Sequence, residues 1–283
     1  MKVLIFGGSG RLGNTIDRYC KKKSIKSIKV GNRNKGDIKI NFEKNNIEKL
    51  ILNQKPTIII NCIALTDVDK CNYDIQKAYS ANVKTIGDIT KSIRKTNLNC
   101  KLVHISTDQV YNSLETKKEN FEPDICLNNI YSITKYLGEL EAKKYSKSLV
   151  VRTNFFGNSY LKNKPSYSDY IKKKLQERKK INVANNIYFN PIHFDFLIEN
   201  IFHLLKKNYY GTFNIGSRDY ISKYSFALKI AKKYKLNKNY IVKYQSKFHI
   251  HNRPLGTYMS TTKFKKTTKK KLPSINEGIL LLK

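Results

Sequence analysis

Acidic residues are scarce in this chain: 21 Asp and Glu stand against 55 Lys and Arg in 283 residues, a formal net charge of +34. Cysteine is scarce as well. The five (Cys20, Cys62, Cys71, Cys100, Cys126) are odd in number and scattered, with no C-x-x-C pair. That excludes a zinc ribbon and a disulfide framework and predicts a reducing, cytoplasmic setting. The five histidines (His104, His193, His203, His249, His251) show no H-E-x-x-H spacing, so no metal site is expected. No apolar run nears the length of a membrane span, and the N-terminal one stops at Gly7 and Gly8, too early for a signal peptide. A membrane partner is therefore not expected. Internal repeats and low-complexity linkers are missing too. An apolar content of 40% over this length suffices for a real core and one or two lobes.

The surplus of base does not point to nucleic acid. Eight of the basic residues are Arg and the remainder Lys. Base readers lean on the Arg fork, whereas these lysines are spread over nearly every segment. Together with the richness in Asn and Ile, the pattern fits a genome-wide lean toward A/T-rich codons. The densest run, Lys263 to Lys271, reads as solvated surface. The charge still helps to attract phosphorylated metabolites.

What the chain does have begins at its N-terminus. Val3 to Phe6 read as a short buried strand, and Gly7, Gly8, Gly10 and Gly13 crowd the residues after it. Leu12, Ile16, Tyr19 and Cys20 then follow at helical spacing. Strand, glycine turn and helix bring a dinucleotide pyrophosphate onto a helix N-terminus, where N–H groups and the helix dipole favour anions. Two registers fit, G-x-G-x-x-G through Gly8, Gly10 and Gly13, and G-x-x-G-x-x-G through Gly7, Gly10 and Gly13; the plain alternative is an ordinary strand-to-helix turn. Strands and helices alternate from there, as in a parallel sheet with crossover helices. Strands are expected at 25–30, 37–42, 57–60, 102–105, 149–151 and 212–215. Helices are expected around 47–51, 75–93, 130–145 and 194–205. In the 75–93 helix, Ile75, Ala78, Tyr79, Asn82, Ile86, Ile89 and Ile93 form one stripe. Asn82 is its polar member, so it is either a structural clasp or part of a site. The expected fold class is α/β, a Rossmann-type doubly wound parallel sheet with a smaller α/β lobe. Residues 1–153 make the dinucleotide-binding domain, to which the chain returns at about 186–217, and 154–185 and 218–283 make the lobe.

The pair Tyr131 and Lys135 lies one turn apart on the 130–145 helix, on one face. Ile130, Ile133, Leu137 and Leu140 make the apolar stripe on nearly the opposite side, so core packing does not explain the pair. An ammonium one turn from a phenol favours the phenolate and lowers the tyrosine pKa toward neutrality, which suits a proton shuttle. By itself Y-x-x-x-K is common in a lysine-rich chain, where it is also compatible with a solvated face.

Taken in order, these motifs resemble the extended short-chain dehydrogenase/reductase family, and within it the nucleotide-sugar reductases that act on dTDP-4-dehydrorhamnose. The resemblance runs over nearly the whole chain. It includes Phe6 to Gly13, Ile60 to Lys70, Ile105-Ser106-Thr107-Asp108-Gln109-Val110-Tyr111, Tyr131 to Lys135 and Val151-Arg152-Thr153. Toward the end it includes Asn190-Pro191, and Arg253-Pro254 followed by Ser260, Lys263-Phe264 and Leu272-Pro273. It implies reduction of the 4-keto group of a nucleotide-linked 4-keto-6-deoxy sugar, in surface-polysaccharide sugar synthesis. Tyr131 would be the general acid, Lys135 would hold the nicotinamide ribose, and Thr107 would hydrogen-bond the substrate carbonyl oxygen. The cofactor would lie along Gly7, Gly10, Arg11, Leu12, Gly13, Asn32, Arg33, Asn41, Phe42, Cys62 and Ala64. Asp108 and Asn154 would join Thr107 at the substrate, and Arg253, whose planar fork matches phosphate, would take its pyrophosphate.

Cofactor choice turns on the end of the second strand, where NAD binders carry an acidic residue for the ribose 2′-OH. Asn32 and Arg33 stand there instead, and a guanidinium suits a 2′-phosphate. NADPH is therefore expected, with NADH as the second choice, and Arg11 offers a further positive contact. Gln109 replaces the glutamate that related dehydratases use as acid/base, which argues against dehydration. Asn72 and Thr15 replace acidic residues of some reductases, so neither a metal nor a particular oligomer, monomer or homodimer, is carried over. An epimerase of the same family and a non-catalytic NADP-binding regulatory relative are the rival readings. The intact Thr107, Tyr131 and Lys135 favour the enzyme over the regulator.

Overall fold

The computed structural model describes residues 1–32, 37–40, 47–111, 113–117, 125, 127–246 and 254–283. In chain order the elements begin β1 (Lys2–Phe6), α1 (Arg11–Lys22), β2 (Lys26–Asn32), β3 (Ile38–Ile40), α2 (Ile47–Gln54), β4 (Ile58–Asn61), α3 (Val68–Tyr73), α4 (Ile75–Tyr79), α5 (Thr85–Thr96) and β5 (Lys101–Ile105). They continue with β6 (Ser113–Lys117), α6 (Ile130–Lys143), β7 (Ser148–Arg152), β8 (Phe155–Phe156), α7 (Tyr167–Gln176), β9 (Ile181–Ala184), β10 (Tyr188–Phe189) and β11 (Ile192–His193). The chain ends through α8 (Phe194–Lys206), β12 (Gly211–Asn214), β13 (Ile221–Ser222), α9 (Lys223–Lys233), β14 (Ile241–Tyr244), β15 (Gly256–Met259), α10 (Thr262–Thr268) and α11 (Ile275–Leu280).

Two compact units divide these elements: Met1–Thr107, Asn129–Arg152 and Ile201–Thr212 in the first, Asp108–Asn128, Thr153–Asn200 and Phe213–Lys283 in the second. The sequence placed the return to the first unit at about 186–217; the structure places it at Ile201–Thr212. The second unit is also not the smaller lobe expected, since the two are of nearly equal length.

The first unit is built on a seven-stranded sheet of order β12-β7-β5-β4-β1-β2-β3. The pairs β1–β2, β2–β3, β1–β4, β4–β5 and β5–β7 are all parallel. This is the doubly wound arrangement: the chain builds outward from β1 to β3, then crosses back to lay β4 on the other side of β1. A ligand crevice is expected outside the carboxyl ends of strands where the order reverses, here β1 and β4. The central strands β1, β4, β5 and β7 are rich in Val, Ile and Leu because both faces are covered. Leu4, Phe6, Ile59, Leu102 and Val150 pack with Ile51, Ile86, Ile89 and Ile93 in one buried cluster.

The second unit holds a four-stranded sheet of order β13-β10-β15-β6 and two parallel pairs, β8–β11 and β9–β14. Its core joins Phe156, Ile171, Leu175, Phe226, Ile230, Ile275 and Ile279. Several of these strands are two residues long and paired far along the chain, which is why periodicity did not reveal them.

The expected single helix over 75–93 is interrupted. A π-helical turn, Ser80–Lys84, separates α4 from α5. The wider turn shifts the helix face, so Ile75 and Tyr79 are 55% and 51% exposed rather than part of the buried stripe. Asn82, at the middle of that turn, is fully buried.

Candidate active site

The register of the parallel sheet aligns the ends of its central strands. Phe6 pairs with Asn61, Asn61 with His104, and Ile105 with Val151. The glycine turn, the Cys62–Ala64 segment and Ser106-Thr107 therefore leave the same edge of the sheet.

Gly7 has φ +77°, and a Cβ on it would lie 2.9 Å from the Cys62 carbonyl carbon. That close approach brings the turn after β1 against the segment after β4, where the Cys62 amide donates to the Phe6 carbonyl at 2.9 Å. Gly13 packs α1 onto the turn, because a Cβ there would meet the Gly7 oxygen at 2.4 Å. Gly10 differs: its Cβ would meet only that same oxygen, at 3.1 Å. The fold leaves space over Gly10 that a phosphate can use. The N-terminus of α1 has Gly10 as its N-cap, no side-chain capping bond, and no acidic residue in its first turn. Arg11 opens the helix and Leu12 is buried beneath it. An uncapped helix start behind a glycine turn is what an anionic pyrophosphate requires, so this chain's residues fit a bound dinucleotide. Both registers read from the sequence include Gly10 and Gly13; Gly7 adds the positive φ. Asn32 closes β2. Arg33, Asn41, Phe42 and Arg253 lie outside the described residues.

α6 carries the candidate pair Tyr131 and Lys135, and here the structure corrects the sequence reading of its buried face. The buried face of this helix is not the apolar stripe. Leu137 and Leu140 are 37% and 39% exposed, while Tyr131, Ser132, Thr134, Lys135, Gly138, Glu139 and Ala142 face inward. Core packing positions Tyr131 and Lys135 after all, and a solvated face is excluded for both. A capping box holds the start of α6: the Asn129 side chain accepts from the Ser132 amide and Ser132 from the Asn129 amide. Asn72, which the sequence marked as a departure, also anchors it by accepting from the Ile130 amide at 3.0 Å.

Asn82 resolves as a structural clasp. Its Oδ1 accepts from the Leu65 amide at 2.8 Å, and its Nδ2 donates to the Leu65 carbonyl at 3.2 Å and the Thr134 hydroxyl at 3.0 Å. Gly138 lets the π-helical turn approach α6, since a Cβ there would sit 2.3 Å from the Asn82 backbone carbonyl oxygen.

Lys135 Nζ donates to the Ile105 carbonyl at 2.6 Å. Burial pulls its pKa down to about 8, opposed by the Glu139 carboxylate and by Cys62. Burial pushes the Cys62 thiol up to about 12 even though Lys135 pulls the other way, so Cys62 is a neutral lining group rather than a nucleophile. His104 is held neutral by burial and by the Lys135 charge, with its Nδ1 3.2 Å from the side-chain Nδ2 of Asn61. Thr107 is buried immediately after Ser106.

Behind this pair lies a group the sequence reading missed. Arg152 and Glu139 form a fully buried ion pair, Arg152 Nη2 lying 2.7 Å from Glu139 Oε2. Ser106 Oγ donates to Glu139 Oε1 at 2.5 Å. Tyr131, Lys135 and Glu139 recur every four residues, and that spacing was the available signal.

In the second unit, Asp108 is buried and its Oδ2 accepts from Asn154 Nδ2 at 2.9 Å and Thr257 Oγ1 at 2.7 Å. The predicted substrate residues Asp108 and Asn154 are thus brought together, and Thr257 on β15 is added to them. Among the described residues, no helix is long and apolar enough to cross a membrane.

Comparison with known proteins agrees with this architecture. The chain is 25% identical over 231 residues to the spore coat polysaccharide biosynthesis protein SpsK of Bacillus subtilis (strain 168), covering 81% of this chain and 78% of that one. It is 26% identical over 166 residues to a dTDP-4-dehydrorhamnose reductase of Aggregatibacter actinomycetemcomitans, 57% of this chain and 55% of that one. The crystal structure of dTDP-4-dehydrorhamnose reductase from Bacillus anthracis str. Ames, in complex with NADP, superposes with a TM-score of 0.87 at 22% identity, over 99% of this chain and 97% of that one. The family model described as the RmlD substrate binding domain matches residues 1–281, and the chain belongs to that family.

Proposed function

We propose that this protein is an NADPH-dependent oxidoreductase that reduces the 4-keto group of a nucleotide-linked 4-keto-6-deoxy sugar, as a cytoplasmic step in making sugars for surface polysaccharide. The observation that carries the reading is the inward face of α6. Tyr131 and Lys135 are both buried there, and Lys135 is bonded to the strand end that leads into Thr107. Burying a lysine is costly unless the charge has work to do. The family match supports the reading, as do the names of the relatives that act on dTDP-4-dehydrorhamnose.

When bound, the nicotinamide supplies a hydride to the carbonyl carbon. The chain's own groups complete the reduction. Tyr131 Oη gives its proton to the carbonyl oxygen, and Thr107 Oγ1 donates a hydrogen bond to the same oxygen as negative charge develops. The Lys135 ammonium favours the phenolate left behind, which regains its proton from solvent. Gly7, Gly10 and Gly13 leave the pyrophosphate in reach of the α1 N-terminus. Asn32 and Arg33, in place of an acidic residue, favour the 2′-phosphate of NADPH, and the Bacillus anthracis neighbour was crystallised with NADP.

Incubation with NADPH and a panel of nucleotide-linked 4-keto-6-deoxy sugars, followed at the nicotinamide absorbance band, tests this. Oxidation of NADPH with at least one of them is the expected outcome. No oxidation with any sugar, or an altered sugar with NADPH unchanged, contradicts reduction and favours the regulatory or epimerase reading respectively.

A further inference from the structure

We propose that Glu139 is a positioning residue of this site: one buried carboxylate holds Lys135 in its charged form and fixes the backbone that presents Thr107. This rests on the functional reading above.

The geometry carries it. Glu139 lies four residues after Lys135 and eight after Tyr131 on α6, on the same inward face. Its Oε1 accepts from Ser106 Oγ at 2.5 Å and from Arg152 Nε at 2.9 Å, and its Oε2 accepts from Arg152 Nη2 at 2.7 Å. Ser106 is the residue between Ile105, whose carbonyl accepts a hydrogen bond from Lys135, and Thr107. The Ser106 amide in turn donates to the Val151 carbonyl at 2.7 Å, next to Arg152. The strand end is thus gripped from α6 by Glu139 and from β7 by its neighbour. The carboxylate itself cannot rotate, because the Arg152 fork occupies both of its oxygens.

Stability alone is a poor reason for such a pair. Burying two charges costs about what their attraction returns, and well-packed apolar residues of equal volume often serve as well. What an apolar pair cannot do is support a third charge. Around Lys135 stand Tyr131 and Glu139 on its own helix, Cys62 after β4 and His104 on β5, with Arg152 of β7 beyond Glu139. Cys62 is a neutral thiol and His104 a neutral imidazole. Glu139 is therefore the anion that offsets the burial of the Lys135 ammonium.

The test uses Glu139→Gln, which keeps shape and can still accept from Ser106, and the double variant Glu139→Gln/Arg152→Met, which removes both members of the buried ion pair so that Arg152 is not left without its carboxylate. NADPH binding to the full chain is followed by nicotinamide fluorescence from pH 6 to 10, and folding by circular dichroism. Wild type is expected to lose affinity above about pH 8, as the Lys135 ammonium deprotonates. Removing the anion lowers that pKa, so both variants are expected to lose affinity at least one pH unit earlier, about a fivefold weakening relative to wild type at pH 8 for a one-unit shift. A midpoint unchanged in either folded variant overturns the proposal, as does failure of both variants to fold. Wild type that binds no NADPH at any pH refutes the functional reading itself, whereas wild type that titrates near pH 8 beside unshifted variants refutes Glu139 alone.

Discussion

α5 and α6 are neighbouring helices of one unit, and they bury opposite kinds of face. α5 sends Ile86, Ile89 and Ile93 into the core cluster of the sheet, while α6 contributes only Ala142 to that cluster. The rest of its inward face is Tyr131, Ser132, Thr134, Lys135, Gly138 and Glu139, and its leucines are turned outward. The ordinary rule for an amphipathic helix holds for α5 and is inverted for α6. A helix can hide polar groups only when each has a partner, and α6 meets that condition with the Asn82 clasp, the Ile105 carbonyl and the Arg152–Glu139 pair. On the proposed function, the difference separates scaffold from chemistry: apolar burial on α5 stabilises the unit, and polar burial on α6 holds the groups to which the reaction is assigned.

Substitutions on the two helices and their partners sharpen this contrast. Arg152→Met has the largest expected effect, because it strands the Glu139 charge in the interior. Breaking a buried pair from one side costs about 3–5 kcal/mol, readable as a fall in the urea midpoint. Ile89→Ala on α5 removes packing alone and is expected to cost about 3 kcal/mol. Its folded fraction should bind NADPH with unchanged affinity; weakened binding at full folding would break the division between the helices. Leu140→Gln changes the apolar residue that α6 leaves outside and should move stability by no more than about 0.5 kcal/mol. A loss of several kcal/mol there would mean that the apolar side of α6 is its packed side.

Much of the first unit was legible in the sequence. Short runs such as Ile58-Ile59-Ile60 and Leu102-Val103 read as buried strands because both faces of a parallel sheet are covered, and Gly7 to Gly13 marked the first turn by its backbone needs. The inward face of α6 was not legible, since hydrophobic periodicity assigns burial to leucines and cannot foresee that Lys135 and Glu139 will be paired inside. The π-helical turn at Asn82 was hidden for a related reason: a one-residue change of face follows from packing against Gly138, not from local propensity. Arg152 was noted only as part of a resembling motif, and its partner Glu139 not at all, although the four-residue spacing from Lys135 was there to be used. In the second unit, strands of two residues such as β8 and β11 depend on pairing across long stretches of chain, which no local window contains.

The most direct measurement is made on Tyr131→Phe, which removes one oxygen from the inward face of α6. NADPH affinity and the urea midpoint should stay near wild-type values while turnover with the active 4-keto sugar falls by about 10²–10⁴, the usual worth of a general acid. Turnover at the wild-type rate would contradict the account, because it would make the buried polar face of α6 a feature of packing alone.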